Sequence, residues 1–307
     1  MSPLAPEAQD LLDVIAAAGL PPIHSLTVQD ARARTRAALT TQRPSRQLTS
    51  VEDLVIPTPM GPLRLRLYRP SSTELPTALF LHGGGWTLND LDTHDNLCRE
   101  LAARSGWAIA SLDYRLAPEH RHPAALLDAY LAYRWLADNS TATGSLPGYR
   151  VIVGESSGGT TAAALSLMLR DLGAPVPTYQ ILAYPMLDDY ARWPSYSKYG
   201  HGYVLDRELI AWFFQQFSPA DRRPDPYLFP MLAADLAGLP PTLLLTAEFD
   251  PLRDEGVAFV ERLKTAGVPV RHIHAEDQMH SFLLATRAIG SADKLLDRIS
   301  DALAGRR

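Results

Sequence analysis

Ser156 stands at the centre of a Gly-x-Ser-x-Gly frame in the stretch VIVGESSGGT, bounded by Gly154 and Gly158. Centring the frame on the neighbouring Ser157 would put Glu155 where the first glycine belongs, so the spacing selects Ser156. A serine hydroxyl attacks poorly at neutral pH. It needs a base to take its proton and an acid to orient that base. Nine histidines are candidates for the base. His280, in DQMHSF, follows the last strand-like run as a loop and is the expected base. His272 and His274 alternate along a strand pattern, and a His-x-His pair without a neighbouring cluster makes a poor metal site. His120 and His122 sit in the proline-flanked PEHRHP, His82 belongs to a glycine run, and His24, His94 and His201 lack a strand-end setting. Asp250 ends the apolar run LLLTAEFD and is the expected acid. Pro251 beside it also suits a helix N-cap, and Asp188 and Asp189 remain rival acids.

The setting of Ser156 strengthens the motif. YRVIVGE reads as a strand and SGGTTAAALSLMLRDLG as a helix, so the serine falls at a strand-to-helix turn that would lift its hydroxyl above a sheet. No Lys-Ser or Lys-Thr follows the glycines, which speaks against a phosphate-binding loop. A second glycine run, LFLHGGGW, precedes the serine by two strands. Its backbone N–H groups and that of Ser157 suit an oxyanion hole.

Around these residues the chain alternates strand-like and helix-like segments. TALFLH, WAIASLDY, YRVIVGE, TYQILAYP, PTLLLTAEFD and VRHIHAE are short and rich in aliphatic residues. DTHDNLCRELAAR, AALLDAYLAYRWLADN, TTAAALSLMLRDLG and RDEGVAFVERLKTAG carry helical periodicity between them. The alternation predicts an α/β fold whose mostly parallel sheet has helices on both faces. VEDLVIPT and PLRLRLYRP predict a leading antiparallel pair. The expected core covers residues 49–187 and 239–307. Residues 1–48, read as N-terminal helices, and 188–238, an aromatic-rich insertion, are expected to form a cap over the carboxyl ends of the strands.

Composition narrows the class. The 307 residues are 46% hydrophobic and 21% charged with net charge −5, which excludes a disordered chain and gives no field for gathering nucleic acid. The arginine-rich ARARTRAALTTQRPSR reads as the solvated face of a surface helix. Cys98 is the single cysteine, so an intrachain disulfide is impossible, and its place on an apolar helix face predicts burial. With no signal-like N-terminus and no run approaching 18 apolar residues, a cytoplasmic protein without membrane insertion is the expectation, as a monomer or homodimer.

HGGGW, DYRLAPEHRHPAAL, GESSGG, YPMLD, AEFDPLRDEG and MHSF occur in one order along the chain. In this the sequence resembles the hormone-sensitive-lipase family of α/β-hydrolase esterases, the bacterial group also called family IV. The resemblance implies an eight-stranded sheet with a helical cap, and hydrolysis of esters, frequently with short acyl chains, without cofactor or metal. It implies Ser156 as nucleophile, Asp250 and His280 as its partners, and the N–H groups of Gly83, Gly84 and Ser157 as oxyanion donors. Glu155 and Ser157 stand where Asp and Ala are usual, and HSF where His-Gly-Phe is usual, which leaves substrate preference open. Trp86, Trp193, Tyr203, Trp212 and Phe213 are candidates for lining the substrate pocket. An amidase or an O/N-deacetylase of secondary metabolites would use the same residues. A non-catalytic ligand receptor on this fold would be expected to lack a triad member.

Overall fold

The computed structural model describes residues 2–40, 46–148, 150–189, 192–218 and 225–305. Eight strands form one sheet: β1 (Ser50–Ile56), β2 (Leu63–Arg69), β3 (Thr77–Leu81), β4 (Ala108–Asp113), β5 (Val151–Glu155), β6 (Tyr179–Ala183), β7 (Thr242–Phe249) and β8 (Val270–Met279). Their order is β1-β2-β4-β3-β5-β6-β7-β8. β2 runs antiparallel to both β1 and β4, and every other pairing is parallel. The helices are α1 (Pro6–Ala17), α2 (Val28–Thr40), α3 (Asp95–Ser105), α4 (Ala124–Asp138), α5 (Ser140–Thr143), α6 (Ser157–Asp171), α7 (Pro194–Lys198), α8 (Arg207–Phe217), α9 (Arg253–Thr265) and α10 (Gly290–Leu303).

Both faces of the sheet are covered, which is why its central strands read as unbroken apolar runs. Successive side chains of a strand point to opposite faces. In β3, Leu79 and Leu81 join a core with α4, α6 and α9, while Ala78 and Phe80 join another with α3 and α10. All five β3 residues are therefore buried. α6 is buried along most of its length, as its alanine-rich sequence allows.

The strand order sets where the chemistry sits. From β3 the chain moves to β4 on one side and then returns to β5 on the other. The loop leaving β3 and the loop leaving β5 thus separate at a switch point, where open α/β sheets form crevices at the carboxyl ends of their strands. At the far side a register shift between Ala247 and Phe249 lets β8 run on to Met279, farther than VRHIHAE suggested, and delivers His280 to the same end.

The arginines of α2 do more than face solvent. Arg32 donates to Thr87 O and Ala117 O at 2.8 Å each and pairs with Glu119, while Arg36 pairs with Asp90 and Asp92. They tie the helix to the loop that follows the glycine run and to the loop that follows β4. α1 is tied at its start by Ala5 N–H donating to Asp277 O at 2.9 Å, close to His280 in the chain. Cys98 is fully buried, and burial pushes its thiol pKa up. Of the two stretches expected to form a cap, residues 1, 41–45, 190, 191 and 219–224 lie outside the described residues.

Candidate active site

β5 ends at Glu155, α6 begins at Ser157, and Ser156 makes the corner between them with φ +52° and ψ −125°. A non-glycine residue rarely adopts a positive φ, so the surroundings must hold it there. The motif's glycines are part of that hold. A Cβ on Gly158 would lie 2.0 Å from Leu81 O and 2.5 Å from His82 O, and one on Gly154 would lie 2.3 Å from Gly158 O. The first turn of α6 is thereby pressed against the end of β3. Ser156 N–H donates to Ala183 O at 2.9 Å, which fixes the corner to β6 as well.

Ser156 Oγ lies 2.9 Å from His280 Nε2, and His280 Nδ1 lies 2.7 Å from Asp250 Oδ2. A carboxylate only accepts, so Nδ1 carries the proton and Nε2 is left to accept from the serine. His280 is 4% exposed and Asp250 is fully buried. Asp250 Oδ1 accepts from Leu252 N–H at 2.9 Å, so its second oxygen is held by the turn that leads into α9, but the N-cap position of α9 is Leu252 and not Asp250. The edge of Tyr184 packs against the imidazole with ring centroids 4.9 Å apart.

The rival residues are engaged elsewhere. Asp188 accepts from Trp193 Nε1 at 3.0 Å and from Asp189 N–H at 2.8 Å. His272 and His274 both bond Thr246 Oγ1 at 2.9 Å, and His274 also meets Glu248 at 3.1 Å. His122 pairs with Asp225 at 2.9 Å. Among the described residues no group of three or more His, Cys, Asp or Glu is placed to hold a metal ion, and no helix is long and apolar enough to cross a membrane.

The glycine run needs one correction. Gly83 N–H was expected to serve an oxyanion, but it already donates to Glu155 Oε1 at 2.9 Å. Among the described residues no backbone acceptor engages Gly84 N–H, Gly85 N–H or Ser157 N–H. Gly84 and Gly85 have φ +108° and +59°, and a Cβ on Gly84 would lie 2.4 Å from Leu88 O. Ser157 contributes a side chain too, because its Oγ accepts from Trp86 N–H at 3.3 Å and so links α6 to the glycine loop.

The aromatic candidates divide by position. Phe213 of α8 lies directly over Gly85, where an added Cβ would come within 2.2 Å of its ring, and Trp212 is beside it with centroids 5.5 Å apart. Trp86 donates from Nε1 to Thr161 Oγ1 at 3.0 Å and stacks on Phe217 at 3.9 Å, beside a small cavity that Thr160 also lines. Tyr203 packs on Phe249 at 5.6 Å, and Trp193 turns its N–H to Asp188.

Residues 78–284 match a family model described as the α/β hydrolase fold. The chain is 41% identical to the carboxylic ester hydrolase LipN of Mycobacterium tuberculosis, over 85% of this chain and 73% of that protein. It is 37% identical to an ethyl acetate hydrolase of Pseudomonas putida, over 92% and 91% of the two chains. Among solved structures, a hyperthermophilic esterase from the archaeon Pyrobaculum calidifontis superposes with a TM-score of 0.91 at 36% identity, covering 99% of each chain.

Sequence reasoning missed the polar layer under the glycine loop. His94 had no strand-end setting, yet its Nε2 lies 2.9 Å from Glu155 Oε1 with both side chains buried. His82 is fully buried, stacked on Tyr114 at 4.2 Å, with Nδ1 2.7 Å from Gly83 O. Gly83 O can only accept, so Nδ1 carries a proton and donates. Burial, with repulsion from His94, pushes the His82 pKa down to about 4. Its folded value is below the unfolded value, so the unfolded chain binds more protons as pH falls, and the stabilisation present above about pH 6.5 is lost on the way to pH 4. The full loss is on the order of 3 kcal/mol. His82→Asn keeps a donor near the Nδ1 position and does not titrate. Urea unfolding between pH 7 and pH 4.5 should show a shallower acid loss in His82→Asn than in the parent, and equal slopes would contradict the assignment.

Proposed function

The chain belongs to the hormone-sensitive-lipase (family IV) group of α/β-hydrolase-fold esterases, and we propose that it hydrolyses carboxylic esters through an acyl-enzyme formed on Ser156. The observation that carries this reading is the unbroken hydrogen-bond chain from Ser156 Oγ through His280 to buried Asp250, at the carboxyl ends of the strands. Ser156 Oγ attacks the acyl carbon while its proton passes to His280 Nε2. Asp250 keeps the Nδ1 proton in place and stabilises the imidazolium that forms. The oxygen that becomes negative is received by Ser157 N–H and Gly84 N–H, with Gly85 N–H in the place first expected of Gly83. His280 then protonates the departing alcohol, and water repeats the sequence to release the acid.

Residues 1–48 and 188–238 act in this reading as a cap over the site. Phe213 reaches the glycine loop from α8, and the stacked Trp86 and Phe217 fill space beside Thr160, which favours short acyl chains. A non-catalytic receptor would not need serine, histidine and acid in mutual contact.

Kinetics on p-nitrophenyl esters of increasing acyl length, with acetamides alongside, tests the roles. Ser156→Ala should lose on the order of a millionfold in kcat, and Ser157→Ala, which keeps its N–H, should stay within about tenfold of the parent. His280→Ala should fall by several orders of magnitude and His274→Ala little; Asp250→Asn should cost far more than Asp188→Asn. Equal losses within either pair would undo the assignment of base or acid. For the cap, removal of residues 1–48 takes away Arg32, which holds Thr87 O on the loop after the glycines and Ala117 O on the loop after β4. KM should rise for every ester, and a truncated protein with unchanged KM values would contradict the cap.

A further inference from the structure

The buried pair Glu155–His94 has no part in the proton transfers above. Glu155 lies between the nucleophile and the glycine loop, 2% exposed, and its Oε1 is approached by two donors at 2.9 Å, Gly83 N–H and His94 Nε2. The fit is close: a Cβ on Gly83 would come within 2.1 Å of that same oxygen and 3.0 Å of the Ser156 Cβ. Only a glycine leaves the room the carboxylate occupies. His94 is fixed in turn, fully buried at the start of α3 with Nδ1 3.1 Å from Thr93 Oγ1. Burial pushes the Glu155 pKa up, but the hydrogen bond and charge of His94, with the charge of His280, outweigh it and hold the group below the ordinary carboxylate range.

A peptide unit is rigid, so fixing one N–H in the loop restricts the peptide that follows. Oxyanion stabilisation depends on where the donors point when charge develops, and a misplacement of about 1 Å costs as much as a hundredfold. We propose that Glu155, braced by His94, is a positioning residue that holds Gly83 N–H and thereby aims the succeeding glycine N–H groups at the oxyanion. The role rests on the acyl-enzyme reading of Ser156. Its loss acts on the transition state and leaves ground-state ester binding in place.

The test uses the full-length protein. Glu155→Gln keeps the shape and one acceptor oxygen but removes the charge that holds two donors at once. Its kcat on p-nitrophenyl acetate should fall about 10- to 100-fold with KM within about twofold. The inhibition constant of an aryl trifluoromethyl ketone, whose hemiketal places an oxyanion in the site, should rise by the same factor. A kcat within twofold of the parent, or a fall in kcat without weaker ketone binding, overturns the role. Should Glu155→Gln fail to fold, His94 decides: His94→Leu should lose at least tenfold in kcat and His94→Gln, which restores a side-chain N–H, should recover most of it. Equal kcat values for those two variants overturn the role. Ser156→Ala run in parallel separates the two readings. Turnover there at the parent rate sinks the acyl-enzyme and this role with it, whereas a dead Ser156→Ala beside an unaffected Glu155→Gln overturns the positioning role alone.

Discussion

The backbone of one residue, Ser156, constrains the rest of the site. A serine held at φ +52° stores strain of order 1–3 kcal/mol, which persists only where the surroundings over-determine it. Here β5 on one side and a buried α6 on the other leave the corner no freedom, and the absence of a side chain at Gly154 and Gly158 lets the first turn of the helix touch the end of β3. The same contact places the glycine loop, because Leu81 and His82 are the residues Gly158 presses against. Ser156 and the glycine loop are thus positioned by a single packing event. Neither can shift without the other.

Electrostatics divides the site in two. On one side His280 sits on Asp250, one of whose oxygens serves the imidazole and the other a backbone N–H. On the other, the neutral His82 and the Glu155–His94 pair support the glycine loop. Behind Asp250 lies the buried Glu255, whose pKa is raised well above the ordinary value by burial and by the nearby Asp188 and Asp250. A raised value keeps a further negative charge away from the acid. Glu255 Oε1 accepts from Leu187 N–H at 2.7 Å, a bond that opposes the rise without cancelling it and fixes the segment after β6 next to Asp188.

What the sequence disclosed was what local patterns encode. The central strands were legible because both sheet faces are covered, and Ser156 because its two glycines are a short pattern, Gly154 packing on Gly158, even though Gly158 also packs on the distant Leu81 and His82. His280 and Asp250 were legible from their places after strands, a feature of chain order. Long-range pairings left no such mark. Glu155 and His94 are 61 residues apart, and nothing in DTHDNLCRELAAR distinguishes a histidine aimed at a buried carboxylate from one on a helix surface. Gly83 was misassigned for the same reason, since its acceptor is 72 residues away. The arginines of α2 looked solvated because their partners, Thr87, Asp90, Asp92 and Ala117, belong to loops without periodicity.

The central claim is that the strained corner presents Ser156, and not its neighbour, as the nucleophile. Treating the native protein with a fluorophosphonate and mapping the adduct by peptide mass spectrometry tests it without any mutation. The account requires one phosphonyl group on Ser156 and none once the protein is unfolded before treatment. An adduct on Ser157, or labelling that survives unfolding, would contradict it.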